Sequence, residues 1–149
     1  MMHEVVISLH SIHDRGTENE DTLELTTDGL YSFDDGVGCL TYMESEVTGM
    51  NGTRTSLIAM PDKVVLDRDG LITSRMVFQP GQKSSVLYET PYGAAALSID
   101  TRRISRSLGE KGGSLEIDYV LGVEHALVTK NSFRIRVEMQ KPTGGIANV

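Results

Sequence analysis

The chain has one cysteine and no tryptophan among its 149 residues. A lone Cys39 cannot form an internal disulfide, and it points to a reducing, cytoplasmic setting. With Gly38 and Leu40 beside it and no neighbouring histidine or cation to activate it, it is a small buried hydrophobe rather than a reactive thiol. Aromatic residues make up only 5% of the chain, too few for the stacking platforms of a single-stranded nucleic-acid channel. Positive charge is scarce as well: 14 Lys and Arg face 21 Asp and Glu, and the net charge of −7 repels a phosphate backbone. Nucleic acid is therefore excluded as a general partner. No apolar run approaches the roughly 20 residues that a membrane helix needs. The opening Met1-Met2-His3-Glu4 also lacks the basic segment of a secretion signal, so no membrane partner is expected.

Helical periodicity is the next absence, and a period of two stands in its place. Leu115, Ile117, Tyr119, Leu121 and Val123 alternate with Glu116, Asp118, Val120, Gly122 and Glu124, and Phe133, Ile135, Val137 and Met139 alternate with Arg134, Arg136, Glu138 and Gln140. Such alternation marks strands with one buried face. Turn chemistry separates the runs at Asp35-Gly36, Pro61-Asp62, Asp69-Gly70, Pro80-Gly81, Pro91-Tyr92-Gly93 and Gly112-Gly113. The spacing predicts strands near 4–12, 21–28, 30–34, 38–46, 53–60, 63–68, 71–78, 83–90, 94–101, 102–108, 114–123 and 132–140, some of them merging. Hydrophobic content of 39% and charged content of 23% suit a soluble globular domain. A chain of this size has one core, predicted over 1–140, with a flexible tail at 141–149.

Many short antiparallel strands must hide their edges, and sequential hairpins do so most simply by closing an up-and-down barrel. The expectation is an all-β fold of about eight to ten strands with little or no helix, a size whose lumen either fills with side chains or holds one small ligand.

Three stretches carry a family resemblance: Tyr42-Met43-Glu44-Ser45-Glu46-Val47-Thr48-Gly49-Met50, Tyr88-Glu89-Thr90-Pro91-Tyr92-Gly93 and Gly113-Ser114-Leu115-Glu116-Ile117-Asp118-Tyr119. In order and spacing, from about residue 4 to 139, the chain resembles the small uncharacterised bacterial proteins of the DUF1934 (YwiB-like) family. The resemblance implies a calycin-like, lipocalin-type β-barrel and supplies no activity or catalytic residues.

Motifs for chemistry are sparse. His10-x-x-His13 has a metal-like spacing, but on a strand residues three apart face opposite ways, and His3 and His125 add no ligand pattern. No metal or cofactor is expected. A nucleophile elbow, a P-loop and a dinucleotide fingerprint are all missing, and no nucleophile–base pair can be assembled from the sequence. An enzyme is not expected. Glu44 shares parity with Leu40 and Tyr42, which makes it a candidate for the lumen, with a solvated strand face or an ion pair at the barrel rim as the plainer reading. The strand parity that holds Ile104 and Leu108 also holds Arg102 and Arg106: if that face points inward, Arg106 is buried with Glu44, Glu89 or an anionic ligand as its counter-charge, and otherwise it snorkels outward. Arg102, Arg103 and Arg106 together make a local basic site on an acidic chain.

The expected function is a cytoplasmic lipocalin-like barrel holding one small, partly apolar ligand, anionic if an arginine faces the lumen. The ligand-binding candidates are Tyr42, Glu44, Tyr88, Glu89, Arg106 and Tyr119, with Met76, Phe78 and Tyr92 as further bulky residues. The alternative is a plugged barrel that takes no ligand and acts as an interaction module or homodimer.

Overall fold

A computed structural model describes residues 2–123 and 127–140; His125 and the tail expected at 141–149 lie outside them. Ten antiparallel strands follow one another: β1 (His3–His13), β2 (Asp21–Asp34), β3 (Val37–Met43), β4 (Arg54–Ala59), β5 (Val64–Asp69), β6 (Ser74–Phe78), β7 (Lys83–Thr90), β8 (Gly93–Gly109), β9 (Gly112–Val123) and β10 (Leu127–Met139). Each pairs with its sequence neighbour except β6 with β7, and β1 pairs with β10 in register from Val5·Met139 to Ile12·Ser132. The sheet thus curls into an up-and-down barrel, which removes most free edges.

The last seam, between β6 and β7, is nearly closed. One bridge, Thr73 to Glu89, exchanges two backbone hydrogen bonds of 3.0 Å, and farther along the Ser84 hydroxyl donates to the Val77 carbonyl at 3.1 Å. A fork opens between β2 and β3. They pair only from Leu30·Thr41 to Asp34·Val37, so residues 21–29 of β2 have β1 as their one strand partner. Gly29 stands at the fork because a Cβ there would meet the Thr41 carbonyl oxygen at 2.7 Å and the Ile7 side chain.

Alternation builds the interior. Val5, Ile7, Leu40, Leu57, Leu66, Ile99, Leu115, Ile117, Ile135 and Val137 are buried side by side. Phe78, Tyr119 and Phe133 meet edge to face with ring centroids 5.0 to 6.3 Å apart, an arrangement that aligns ring edges with ring faces. The outer face is charged. Glu116 on β9 bridges Arg103 on β8 and Arg134 on β10, and Asp118 takes a second contact from Arg103.

The strand boundaries differ from expectation at β6, which begins at Ser74 rather than near 71, and at β10, which begins at Leu127 rather than near 132. Mergers of the kind expected occur twice: the runs near 21–28 and 30–34 form one strand, and so do 94–101 and 102–108. In the second case the break in alternation is a β-bulge between Thr101 and Arg103 rather than a turn: Arg102 is the extra residue, and both it and Arg103 are thrown outward. The strand expected to run to 46 stops at Met43. Ser45 then caps a single 3-10 turn, Glu46–Thr48, which Gly49 ends at a φ of 75°.

Candidate functional site

Strand register stacks two tiers of inward side chains on β3 to β6. The lower tier, Leu40, Leu57, Leu66 and Met76, is apolar, and two residues along each strand the upper tier is Tyr42, Thr55, Arg68 and Ser74. Alternation forces the second tier to share the face of the first. Above it, Glu44 follows Tyr42 in the same parity and is only 4% exposed.

A burial of that depth requires partners for the Glu44 carboxylate. Thr55 donates its hydroxyl to one oxygen and Thr48 donates to the other at 3.0 Å, while the Glu44 backbone N–H donates to the Thr53 carbonyl at 2.8 Å. Glu44 therefore ties the 3-10 turn to β4. Burial pushes the Tyr42 phenol well above the ordinary tyrosine range, the negative charge of Glu44 adds to the shift and Arg68 opposes it. Burial raises Tyr119 too, again opposed by Arg68. Both phenols are neutral donors at physiological pH.

These groups rim a cavity of about 240 Å3 inside the barrel. Its apolar wall comes from Leu9, Leu66, Met76, Phe78, Phe133 and Ile135, its polar corner from Tyr42, Glu44, Arg68 and Tyr119, and Thr48 and Met50 cover it from the β3–β4 connection. Leu23, from the part of β2 beyond the fork, and Ser11 complete the lining.

Of the residues expected at the site, Tyr42, Glu44 and Tyr119 meet at this cavity, with Met76 and Phe78. Tyr88 and Glu89 do not line it. Tyr88 packs against the core from β7, and exposed Glu89 makes the seam bridge with Thr73. Tyr92 is fully exposed at the β7–β8 turn. Arg106 points inward, but it does so at the opposite end of the barrel. There it donates to the carbonyls of Gly36 at 2.7 Å, Met60 at 2.5 Å and Ala59 at 3.3 Å. Backbone oxygens of two turns, rather than Glu44, Glu89 or a ligand, satisfy its charge. Tyr31 adds a hydrogen bond of 2.7 Å to the Gly109 carbonyl, so this end is tied shut.

The expected basic site is dispersed. Arg102 pairs with Asp100 at 3.2 Å on the outside, Arg103 joins the Glu116 ladder and Arg106 is at the closed end. His10 faces Glu24 at 3.9 Å, and exposed His13 is still within β1, three residues away on the other face. Sequence analysis missed Arg68, Thr48 and Met50. Arg68 obeys the same rule as Leu66 and Val64, but Val65 between them is also apolar, so the segment reads as a strand buried on both faces and hides its inward parity. Thr48 and Met50 lie in a turn, where periodicity carries no information.

The fold and cavity define an up-and-down β-barrel with one end tied shut and a polar tier set in an apolar lumen at the other. The chain belongs to the DUF1934 family: the model described as "Domain of unknown function (DUF1934)" matches residues 7–135. It is 27% identical over 126 residues to the "Uncharacterized beta-barrel protein YwiB" of Bacillus subtilis (strain 168), covering 83% of this chain and 86% of that one. The crystal structure of the ywiB protein from Bacillus subtilis superposes with a TM-score of 0.78 over 94% of each chain at 18% identity, a likeness of fold.

Proposed function

We propose that the protein is a non-enzymatic, lipocalin-like barrel that binds one small, partly apolar molecule in its lumen. The observation that carries this is the 240 Å3 cavity, walled by aliphatic and aromatic side chains and cornered by polar groups. A binding pocket combines such walls with a few convergent polar groups. An apolar cavity of about 150 Å3 accepts benzene, so on the same scale this one takes a ligand of ~10 non-hydrogen atoms. Among the described residues the lining holds no histidine or cysteine, which leaves Ser11 and Thr48 without an imidazole base in the cavity and favours binding over catalysis. A half-buried free Cys39 fits a cytoplasmic setting.

Native mass spectrometry of protein purified gently from its own host tests the proposal. The expected result is a small adduct on wild type that is absent from Leu9→Trp, whose side chain fills the cavity. Absence of an adduct, together with no thermal stabilisation by any member of a fragment library, would overturn it.

A second reading rests on Leu87, 57% exposed on β7 beside the sparsely bonded seam. An edge with an apolar side chain suits pairing with a second copy. Concentration-dependent mass in light scattering, lost in Leu87→Lys, is the outcome this alternative requires.

A further inference from the structure

Among the described residues three buried side-chain polar atoms make no hydrogen bond: Arg68 Nε, Ser74 Oγ and Asp118 Oδ1. Asp118 Oδ1 still faces a cation, Arg15, at 3.7 Å. The other two have no such relief, and they are neighbours, because Arg68 on β5 is paired in register with Ser74 on β6. Arg68 also makes no ion pair within 4.0 Å with any described carboxylate. Its flanking acids are otherwise placed: Asp67 holds Arg75 in a two-pronged contact of 2.8 and 3.0 Å, and Asp69 is exposed. Glu44, on the same cavity, spends its two oxygens on Thr48 and Thr55. Of the two residues only Arg68 lines the cavity, so a guanidinium without an ion pair stands at the rim of a largely apolar chamber. Native proteins rarely leave such groups without a partner.

One ligand group supplies the missing counter-charge. Resting on the lumen-binding reading above, we propose that the cavity is specific for monocarboxylates, with the carboxylate seated on Arg68 and the apolar body against Phe78, Phe133 and Ile135. A carboxylate matches the fork of an arginine. A single negative charge fits better than a phosphate dianion, since the carboxylate of Glu44 lines the same small chamber and repels added charge. With ~10 non-hydrogen atoms as the capacity, the occupant is a medium-chain alkanoate or an arylacetate. The same cation opposes the upward phenol shifts of both Tyr42 and Tyr119, as a guanidinium near both rings does.

The test uses matched pairs that differ only in charge: octanoate against octanamide, and phenylacetate against phenylacetamide, titrated calorimetrically into the full chain. The expected result is a preference of roughly tenfold or more for the acid in at least one pair, as a charge-assisted contact gives. In Arg68→Gln the preference disappears while amide binding persists. Equal binding of acid and amide by wild type means that water fills the Arg68 corner; it overturns the carboxylate site and leaves lumen binding standing. Failure of all four compounds to bind overturns the carboxylate site, and failure of the fragment library as well overturns the lumen reading. Because the wild-type preference is itself decisive, the outcome does not depend on how well the variants fold.

Discussion

Arg106 on β8 donates to the carbonyl of Gly36, 70 residues earlier in the chain, at 2.7 Å. Its other guanidinium nitrogen reaches Met60 and Ala59, so one side chain fastens the β2–β3 and β4–β5 turns to the β8–β9 hairpin. A planar cation with several fixed donors suits three carbonyls of different direction. Arg106→Ala removes charged hydrogen bonds at a half-buried site and is expected to cost about 2–3 kcal/mol in urea denaturation. Arg106→Lys recovers only part of this, because an ammonium cannot span the two turns. Neither variant alters ligand binding at the far end, and a loss of binding at unchanged stability would contradict that separation.

Glu44 gives the second prediction. Glutamine in its place keeps one acceptor oxygen, so one of Thr48 and Thr55 loses its acceptor. Glu44→Gln is expected to cost about 1–2 kcal/mol and to loosen the Glu46–Thr48 turn from β4. Val47 in that turn is 59% exposed. Limited proteolysis of the folded protein should therefore cut near Val47 faster in the variant, with other sites unchanged.

A third concerns Gly29. Its φ is ordinary, so the constraint is space alone: an added Cβ meets backbone at Thr41 and the Ile7 side chain. Gly29→Ala must push β2 away from β3 where they already part, and a cost of about 1–3 kcal/mol follows, as for overpacked cores. Amide exchange localises it, with Leu30 and Thr41 losing protection before the β9–β10 pairs.

The barrel was legible because its long strands obey a simple rule. Leu115 to Val123 and Phe133 to Met139 alternate cleanly, and glycine and proline pairs mark the joints. Parity put Tyr42, Glu44 and Arg106 on faces shared with apolar neighbours, but it left a solvated face open for Glu44 and an outward path open for Arg106. It could not say at which height of the barrel each one sits, since height depends on register with other strands. Arg106 and Glu44 consequently share a face and occupy opposite ends. Arg102 failed for another reason: a bulge shifts parity by one residue without a glycine or proline to announce it. Arg68 was hidden by Val65, and the seam and fork depend on pairing partners far apart in the chain.

The last prediction is a pH dependence. Tyr31, Tyr42 and Tyr119 all have phenol pKa values raised by burial, with Glu44 adding to the effect on Tyr42. The folded state therefore holds these protons more tightly than the unfolded chain, whose tyrosines ionise near pH 10. Their contribution to stability is fully present below pH 10, and it is lost as pH rises from there through the folded-state values. Removing the Glu44 charge should lessen the shift at Tyr42, whereas Tyr119 should be unaffected. Spectrophotometric titration of phenolate absorbance provides the measurement. In urea all five tyrosines ionise together near pH 10. In the native protein Tyr31, Tyr42 and Tyr119 ionise only at higher pH or as the barrel unfolds. In Glu44→Gln the Tyr42 step moves down toward pH 10, and an unchanged native curve in that variant would remove Glu44 as a cause.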